Sequence, residues 1–329
     1  MKRRLCRCLR SCAIVLPVAL LLYITGRDVI TGQGSRPLNG DVRDSRGLRK
    51  LLEDDALTSE RSRANGTDIT QRLPQCIIIG ARKCGTRALI EFLKLHPKIF
   101  SAQDEMHFFS NDSNYKQGLE WYRRRMPWTH ADEITIEKTP KYFISDLSPA
   151  RIHRMNSSVR LIVILRHPTT RVISDYTQIC ANKLARNETV EAFESLAIDK
   201  ADQVNKDYRA VQISMYQQHL GKWLELFNRE QLHFVDGDNL IVNPIEEIAK
   251  VETFLGLQHQ VKNESIFFNA TRGFYCMRPA RGQPERCLGA NKGRKHVKIP
   301  EKIIHKLNRY FRPMNERLFK QIGTRFVWR

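Results

Sequence analysis

A short loop between residues 80 and 87 carries the residue types from which proteins build anion sites. It follows the apolar run Cys76–Ile79, and a helical pattern begins directly after it, so the chain reads as strand, loop and helix. In that order the loop N–H groups and the helix N-terminus point toward one place, where a phosphate or sulfate group can bind. The loop residues are Gly80, Ala81, Arg82, Lys83, Cys84, Gly85, Thr86 and Arg87.

The spacing of the two glycines resembles that of the nucleotide-binding P-loop, but the lysine stands elsewhere. In a Walker motif a lysine and then a serine or threonine follow the second glycine. Here Thr86 follows Gly85 directly, and Lys83 lies two residues before Gly85. This order disfavours a magnesium-dependent kinase or nucleotide hydrolase. An ordinary strand-to-helix turn with surface cations is the remaining alternative.

An acid and an imidazole stand together in the segment Asp104–Phe109. Glu105 and His107 are two residues apart, so in an extended chain they lie on one face. The neighbouring aromatic rings lower the local dielectric constant, which raises the proton affinity of a carboxylate. Glu105 and His107 are therefore a candidate general-base pair, and a salt bridge within a loop is the alternative.

Polar side chains are also expected where two further strands end. Lys138 follows the strand pattern Ile134–Glu137, and Arg166 follows the buried run Leu161–Leu165, with Ser174 on the next helix. Open α/β sheets bind ligands at the carboxyl ends of their strands, and an arginine can bond two phosphate oxygens at once. Taken singly, each residue is equally compatible with an ordinary surface position.

Other motif classes are missing or weak. The segment 291–296 is cationic and contains Gly293, but by itself it is only a basic patch. The sequence has no zinc pattern, no GxSxG elbow and no Rossmann GxGxxG. The net charge of +20 indicates a polyanionic partner, for which nucleic acid, an anionic polysaccharide or merely a solvated basic surface are the alternatives.

The N-terminal region predicts export. Arginines and a lysine precede an apolar run from Cys12 to Tyr23, which favours a cytoplasmic tail (1–11) and a signal anchor (12–25) over a cleaved signal peptide. The polar segment 26–73 is typical of a luminal stem, and 74–329 is the expected catalytic domain. Six glycosylation sequons support a luminal location and make nucleic acid an unexpected partner. The sequon asparagines are Asn65, Asn111, Asn156, Asn187, Asn263 and Asn269.

From residue 74 onward, apolar runs alternate with helical patterns, which predicts a parallel sheet with crossover helices. The predicted strands are Cys76–Ile79, Ile134–Glu137, Leu161–Leu165 and Leu232–Val235. The predicted helices are Arg87–Leu95, Gly118–Arg125, Thr170–Asn182, Val211–Phe227, Pro244–Leu255 and Pro300–Tyr310. In an oxidising compartment, Cys276 and Cys287 are expected to form a disulfide that closes a short loop, leaving Cys76, Cys84 and Cys180 as free thiols.

Taken together, these segments resemble the heparan sulfate glucosamine 3-O-sulfotransferases, which are type II Golgi membrane enzymes. The resemblance runs from about Leu73 to Trp328 and is strongest to the isoform 5 type. It implies an α/β, P-loop-like sulfotransferase fold with a central, mostly parallel sheet flanked by helices. The motifs that carry it are IIIGARKCGTRAL at 77–89, EMHFF at 105–109, TIEKTP at 135–140, LRHP and SDYTQ within 165–178, VDGD at 235–238, FYC at 274–276 and KGRKH at 292–296.

The resemblance further implies 3′-phosphoadenylyl sulfate (PAPS) as the donor, heparan sulfate as the acceptor and no metal requirement. Glu105 would be the general base for the glucosamine 3-hydroxyl, helped by His107, and Lys83 and Lys138 would neutralise charge on the sulfuryl group. Donor contacts would come from Lys83, Cys84, Gly85, Thr86, Arg87, Arg166, Ser174, Tyr275, Lys292, Gly293, Arg294, Lys295 and His296. Acceptor contacts would come from Gln103, Asp104, Glu105, Met106, His107, Phe108, Phe109, Lys138, Thr139, Pro140, Lys141, Gln178, Tyr208 and Arg209.

The sequence departs from the family pattern at four positions. Cys84 replaces a glycine, which would cost ~1 kcal/mol or more if the position requires a positive φ. Its thiol could instead be activated by the surrounding cations, or simply be a tolerated small residue. Ser110 replaces an aspartate, a role that Asp112 could take over. Lys141 replaces an alanine and adds a cation for another substrate sulfate, whereas His167 replaces an acid with little expected effect.

Three alternatives to a 3-O-sulfotransferase remain open from the sequence. A sulfotransferase for another glycan position would share the donor residues but not the acceptor loops. A catalytically inactive heparan-binding protein would keep the basic surface without needing Glu105 together with Lys83. A luminal kinase would require metal and ATP.

Overall fold

Five parallel strands form the central sheet, because continuous apolar runs can be buried on both faces. The strands are β1 (Cys76–Gly80), β2 (Ile99–Ser101), β3 (Ile134–Lys138), β4 (Arg160–Leu165) and β5 (Leu232–Asp236). Their spatial order is β2-β3-β1-β4-β5. The four predicted strands are confirmed to within one residue at each end. The edge strand β2 has only three residues and was not predicted.

The structure is a computed structural model that describes residues 68–279, 284–289, 293–294 and 296–328. The expected cytoplasmic tail, signal anchor and most of the stem lie outside these residues, as do the sequon Asn65 and two residues expected to bind the donor, Lys292 and Lys295. Within the described residues, no helix combines the length and the apolar character that a membrane crossing requires.

Helices flank the sheet, and two of the predicted helices differ from the structure. The observed helices are α1 (Thr86–Leu93), α2 (Asp112–Tyr115), α3 (Gly118–Arg123), α4 (Ser148–Met155), α5 (Pro168–Leu184), α6 (Phe193–Ala197), α7 (Arg209–Ser214), α8 (Tyr216–Leu224), α9 (Asn239–Val242), α10 (Pro244–Leu255) and α11 (Glu301–Ile322). The predicted helix Val211–Phe227 is broken at Met215, whose ψ of 61° is not helical. The predicted helix Pro300–Tyr310 is too short, because α11 continues through Pro313 and buries an apolar face along its whole length.

Two hydrophobic clusters stabilise the fold. The larger one surrounds the sheet, and the smaller one lies between α5, α6, α7 and α11. Helix α11 contributes to both of them. Its first half supplies Ile303, Leu307 and Phe311 to the smaller cluster, and its second half supplies Leu318 and Ile322 to the larger one.

A disulfide joins the last hairpin to the loop that follows it. Strands β6 (Ile266–Asn269) and β7 (Phe274–Met277) pair in antiparallel fashion, and Cys276 in β7 is bonded to Cys287, as expected. The neighbouring Arg286 lies 3.4 Å from the carboxylate of Glu91 in α1. The disulfide loop is therefore tied to the first helix of the domain.

Replacing both Cys276 and Cys287 with serine is expected to lower the free energy of unfolding by about 3 kcal/mol, because the unfolded chain regains the entropy of the open loop. Denaturant unfolding without reductant measures the loss. Reductant should lower the stability of the unmodified protein by a similar amount and leave the double variant unchanged. An equal effect of reductant on both proteins would contradict the prediction.

Candidate active site

The loop between β1 and α1 turns sharply around the N-terminus of α1. Lys83 (φ 71°) and Gly85 (φ 110°) both have left-handed backbone conformations, which glycine adopts easily and lysine rarely. No side chain of the described residues caps α1, and no acid lies in its first turn. Its first N–H groups are therefore available to an anion, and the helix dipole favours negative charge there.

Arg166 reaches this loop from the end of β4. Its Nε donates to Asp238 Oδ1 at 2.7 Å, and the backbone N–H of His167 donates to Asp238 Oδ2 at 2.8 Å. Gly237 lies in close contact with both Cys84 and Arg166, since a Cβ at this position would lie 2.4 Å from the carbonyl oxygen of Cys84 and 2.7 Å from Arg166 Cγ. The VDGD segment (Val235–Asp238) therefore holds Arg166 against the loop of residues 80–87, which is called the anion loop below.

A pocket beside the loop brings together four residues expected to bind the donor, namely Cys84, Gly85, Arg166 and Tyr275. These residues come from three distant parts of the sequence. The other lining residues are mostly apolar and comprise Ala88, Phe92, Gly237, Leu240, Ile241, Phe274 and Leu288. An anion loop that opens into an apolar pocket suits a ligand with both a phosphate group and an aromatic base.

The segment before α11 also reaches this pocket. The pKa of His296 is lowered by burial and then by the positive charges of Arg166 and Lys83, so the imidazole lies close to both cations. Gly293 (φ 65°) packs so tightly that a Cβ would lie 2.6 Å from the Phe274 ring. Arg294 Nη1 is buried without a hydrogen-bond partner among the described residues. An anionic ligand would satisfy that guanidinium group.

The remaining expected donor residues lie on the two neighbouring helices. Thr86 and Ser174 are 7% and 8% exposed, so only a small part of each can face a ligand. Arg87 is partly exposed and lies 3.1 Å from Glu91 Oε1.

Glu105, His107 and Lys138 form one cluster at the carboxyl end of β3. Lys138 Nζ forms a short ion pair with Glu105 Oε1, and His107 Nε2 lies 3.7 Å from Glu105 Oε2. Burial lowers the pKa of His107, and the charges of Lys141 and Lys138 lower it further against the opposing effect of Glu105. The imidazole is therefore neutral near pH 7, while Lys138 is held almost fully buried behind Glu105.

A second carboxylate, Glu137, supports this cluster, although sequence analysis did not identify it. Glu137 is fully buried and accepts hydrogen bonds from Thr139 Oγ1, from Tyr122 Oη at 3.3 Å and from Met106 N at 3.5 Å. Burial raises its pKa to about 7, despite these hydrogen bonds and the charge of Lys138. Glu137 thus connects the end of β3 to the loop that carries the candidate base.

The expectation that Phe108 and Phe109 contact the acceptor is wrong. Both side chains are completely buried. The ring of Phe108 stacks on Tyr122 with 4.6 Å between centroids, and Phe109 meets Tyr142 edge to face at 5.4 Å. These rings anchor the loop of Glu105 and do not reach a bound polysaccharide.

The other expected acceptor residues divide by exposure. Gln103, Asp104, Lys141 and Arg209 are exposed, and Met106 and Gln178 are half-buried. Thr139 and Pro140 are buried, which places their side chains away from a bound chain. The Tyr208 hydroxyl is also buried, and among the described residues it has no hydrogen-bond partner. Besides Glu105 and His107, the expected acceptor residues that a substrate can reach are therefore the four exposed and the two half-buried ones.

Arg171 connects the two sides of the site, a role that sequence analysis did not identify. The side chain is fully buried on α5 and donates to Asp175 at 2.9 Å, to Ser214 Oγ at 2.6 Å and to the carbonyl oxygen of Arg82 at 3.3 Å. Asp175 in turn accepts from Arg82 Nη2 at 2.6 Å. The anion loop is thus bonded to α5, the helix that carries Gln178.

Cys84 is neither strained nor activated. Its backbone is not among those with positive φ in the described residues, so the glycine of the family is not required at this position. The thiol is completely buried, 3.4 Å from Tyr216 Oη. Burial raises its pKa in spite of that hydrogen bond and of the nearby Arg171 and Arg166. Of the alternatives for Cys84, a tolerated small residue agrees with the structure.

Asp112 does not stand in for the aspartate that Ser110 replaces. Its carboxylate forms an ion pair with Arg151, whose hydrogen bond holds the pKa of Asp112 low. Ser110 Oγ is buried and has no hydrogen-bond partner among the described residues. The acceptor side of this site therefore differs from the family pattern at Ser110.

Gly237→Ala is expected to weaken donor binding about tenfold and to lower the free energy of unfolding by about 1–3 kcal/mol, because two of the atoms that the new methyl would meet are backbone oxygens. Isothermal titration with the desulfated donor nucleotide and denaturant unfolding measure the two effects. Gly256→Ala is a suitable control, since a Cβ there meets nothing within 4 Å, although its φ of 74° carries its own backbone strain. Unchanged nucleotide binding in Gly237→Ala would contradict the prediction.

Comparison with known proteins decides the family. The sulfotransferase domain family matches residues 73–323. Mouse heparan sulfate glucosamine 3-O-sulfotransferase 5 is 47% identical over 271 residues, which cover 82% of this chain and 78% of the relative. The chain belongs to the heparan sulfate glucosamine 3-O-sulfotransferases. Mouse 3-O-sulfotransferase 6 is 41% identical over 278 residues, which cover 82% of this chain and 80% of that relative.

The fold of this 3-O-sulfotransferase agrees with a solved structure. A crystal structure of a sulfotransferase from Alicyclobacillus acidocaldarius has a TM-score of 0.56 and 19% identity, and it covers 78% of this chain and 98% of that chain. The likeness confirms the α/β sulfotransferase fold predicted from the sequence.

Proposed function

We propose that this protein transfers the sulfuryl group of PAPS to the 3-hydroxyl of glucosamine residues in heparan sulfate. The relatives at 41% to 48% identity bear the name of this activity. One structural observation carries the proposal: the anion loop after β1 and the Glu105–Lys138 pair after β3 lie at the adjacent carboxyl ends of two paired strands.

The described residues fit the donor. Sites for phosphate oxygens are supplied by the N-terminus of α1, by the guanidinium of Arg166 and by Arg294 Nη1, which has no hydrogen-bond partner among the described residues. The apolar pocket that begins at Gly85 and Arg166 can take an adenine ring. Tyr275 lines that pocket, and His296 lies beside its cations.

The chain's own groups then act as a base and as counter-charges. When bound, PAPS supplies the sulfuryl group, whose bond to the 5′-phosphate oxygen breaks as the bond to the sugar oxygen forms. Glu105 Oε accepts the proton of the 3-hydroxyl, because a sugar hydroxyl is a poor nucleophile without a base. Lys83 and Lys138 neutralise the negative charge that develops during transfer. The His107 imidazole lies 3.7 Å from the other carboxylate oxygen of Glu105.

Lys138 also contacts the base directly. In the structure its ammonium group is paired with Glu105. A lysine that turns toward an incoming sulfuryl group would leave the Glu105 carboxylate free to accept the proton of the 3-hydroxyl.

A transfer assay tests the proposed function. Full-length protein is incubated with sulfur-labelled PAPS and N-sulfated heparan sulfate in the presence of a chelator, and disaccharide mapping locates the label. Label on the glucosamine 3-oxygen is the expected result. Label at another position would favour the alternative glycan sulfotransferase. The absence of label with heparin still bound would favour the inactive binding protein.

Lys141→Ala is expected to raise KM about two- to fivefold for acceptors with an additional sulfate near the target glucosamine, relative to acceptors that are only N-sulfated. The reason is that Lys141 is exposed beside His107, and one exposed charge pair contributes roughly 0.2–1 kcal/mol. Steady-state kinetics on two acceptors of defined sulfation measure the ratio. Equal changes in KM for both acceptors would contradict a role in reading that sulfate.

The cellular location is part of the same proposal. The basic and apolar N-terminal segments and the six sequons support a single-pass type II Golgi membrane protein with a luminal catalytic domain. Four of the sequon asparagines, Asn111, Asn156, Asn187 and Asn263, are exposed in the structure. Sensitivity of the full-length protein to endoglycosidase, with co-localisation to a Golgi marker, tests this location.

A further inference from the structure

Helix α11 has a basic outward face that the proposed reaction does not use. Its buried side holds the apolar residues that enter the two clusters, and its other side is exposed to solvent. The exposed side carries Lys302, Arg309, Arg312 and Lys320. These four residues, the α11 strip, extend over about 27 Å at the helical rise of about 1.5 Å per residue.

The cations of the α11 strip form no ion pair with a carboxylate of the described residues. By contrast, Arg123 and Arg124 share Glu120 elsewhere on the surface. Three acids lie near the strip, and each is paired with another cation: Asp202 with Lys306, Glu301 with His305 at 3.8 Å, and Glu316 with Arg325. The last pair lowers the pKa of Glu316, and the charges of Lys320 and Arg312 lower it further, so this acid lies in a positive field.

The α11 strip lies next to the active site but outside it. The segment that leads into α11 brings His296 to the donor pocket. Helix α11 then packs along α5, which carries Ser174 and Gln178. Helix α11 therefore begins beside the donor pocket and runs next to the helix that carries Ser174 and Gln178, which places the strip within reach of a long acceptor chain.

We propose that the α11 strip is a second docking surface for the heparan sulfate chain, separate from the residues that surround the reacting glucosamine. The inference rests on the proposed function. A row of unpaired cations on a rigid helix complements a chain with regularly repeated sulfate groups, and each contact releases a condensed counterion. The strip would raise affinity for long chains and leave the chemistry on a short acceptor unchanged.

The test compares two triple variants of the full-length protein. Arg309→Gln/Arg312→Gln/Lys320→Gln removes three charges of the strip, and Lys98→Gln/Arg154→Gln/Lys262→Gln removes the same number from exposed positions elsewhere. KM and kcat are measured with long N-sulfated heparan sulfate and with a hexasaccharide. The salt dependence of heparin binding is measured on both proteins.

For the strip variant we expect KM for the long chain to rise about fivefold or more, with kcat and all hexasaccharide constants unchanged. The slope of log affinity against log salt should fall by about two to three, as for loss of three phosphate contacts in nucleic-acid complexes. An equal change in the control variant, or no change in either, would overturn the proposal. Loss of binding to phosphatidylserine vesicles with unchanged KM for the long chain would assign the strip to a membrane surface instead. Activity on the hexasaccharide separates these results from a failure of the proposed function.

Discussion

Glu105→Gln is expected to reduce kcat by about 10²- to 10⁴-fold while donor binding stays within about twofold of the unmodified protein. The amide cannot accept the proton of the 3-hydroxyl, but it keeps the size and shape of the carboxylate. Single-turnover transfer from labelled PAPS and titration with the desulfated nucleotide measure the two quantities separately.

Asp104→Asn is the matched control for this variant. Asp104 is the adjacent exposed carboxylate, and its replacement removes the same charge from the same loop. We expect less than a threefold change in kcat, because Asp104 forms no ion pair with Lys138 in the structure. Comparable losses in both variants would show that the loop needs negative charge but that Glu105 is not the base.

Glu137→Ala is expected to lower the free energy of unfolding by about 2–4 kcal/mol and to lower kcat about tenfold or more. The change leaves Tyr122 Oη, Thr139 Oγ1 and Met106 N without their acceptor in a fully buried place. The loop of Glu105 is then no longer held against β3. Denaturant unfolding and steady-state kinetics measure the two losses.

Glu137→Gln separates hydrogen bonding from charge. It keeps an acceptor oxygen, so its loss of activity should be smaller than that of Glu137→Ala. In the unmodified protein the pKa of Glu137 is raised from 4.5 to about 7, so between these values the folded state binds more protons than the unfolded state. The free energy of unfolding should therefore fall as pH rises through this range, by about 3 kcal/mol for a shift of that size. Unfolding at several pH values should show this slope in the unmodified protein and its reduction in Glu137→Gln; an equal slope in both would contradict the assignment.

The sequence was sufficient for the parts of the fold that depend on continuous apolar runs. Strands β1, β3 and β4 are buried on both faces in the centre of the sheet, and β5, at one edge, carries a similar apolar run. Strand β2 is a short edge strand whose existence depends on its pairing with β3. The break at Met215 likewise depends on a distant residue, because Ser214 and the carbonyl of Ala210 are held by Arg171.

The same limit applies to the site. Lys83, Arg166 and Tyr275 could be assigned to one donor site because their motifs are distinctive. In the structure Arg166 and Tyr275 line the same pocket, and Lys83 and Arg166 both lie near His296. Glu137 could not be identified, since in a strand a glutamate beside a lysine gives no sign of whether it is buried. Phe108 and Phe109 were assigned to the acceptor by resemblance, but such a motif does not distinguish a contact from the packing beneath it.

Helix α11 also constrains how this protein is made. Its residues complete both hydrophobic clusters, and the Arg229 guanidinium donates to the carbonyl oxygen of Ile322 at the end of the helix. During synthesis, therefore, neither cluster is complete before α11 has left the ribosome. A truncation within α11 is therefore expected to destabilise both clusters, even though every residue proposed for catalysis precedes this helix.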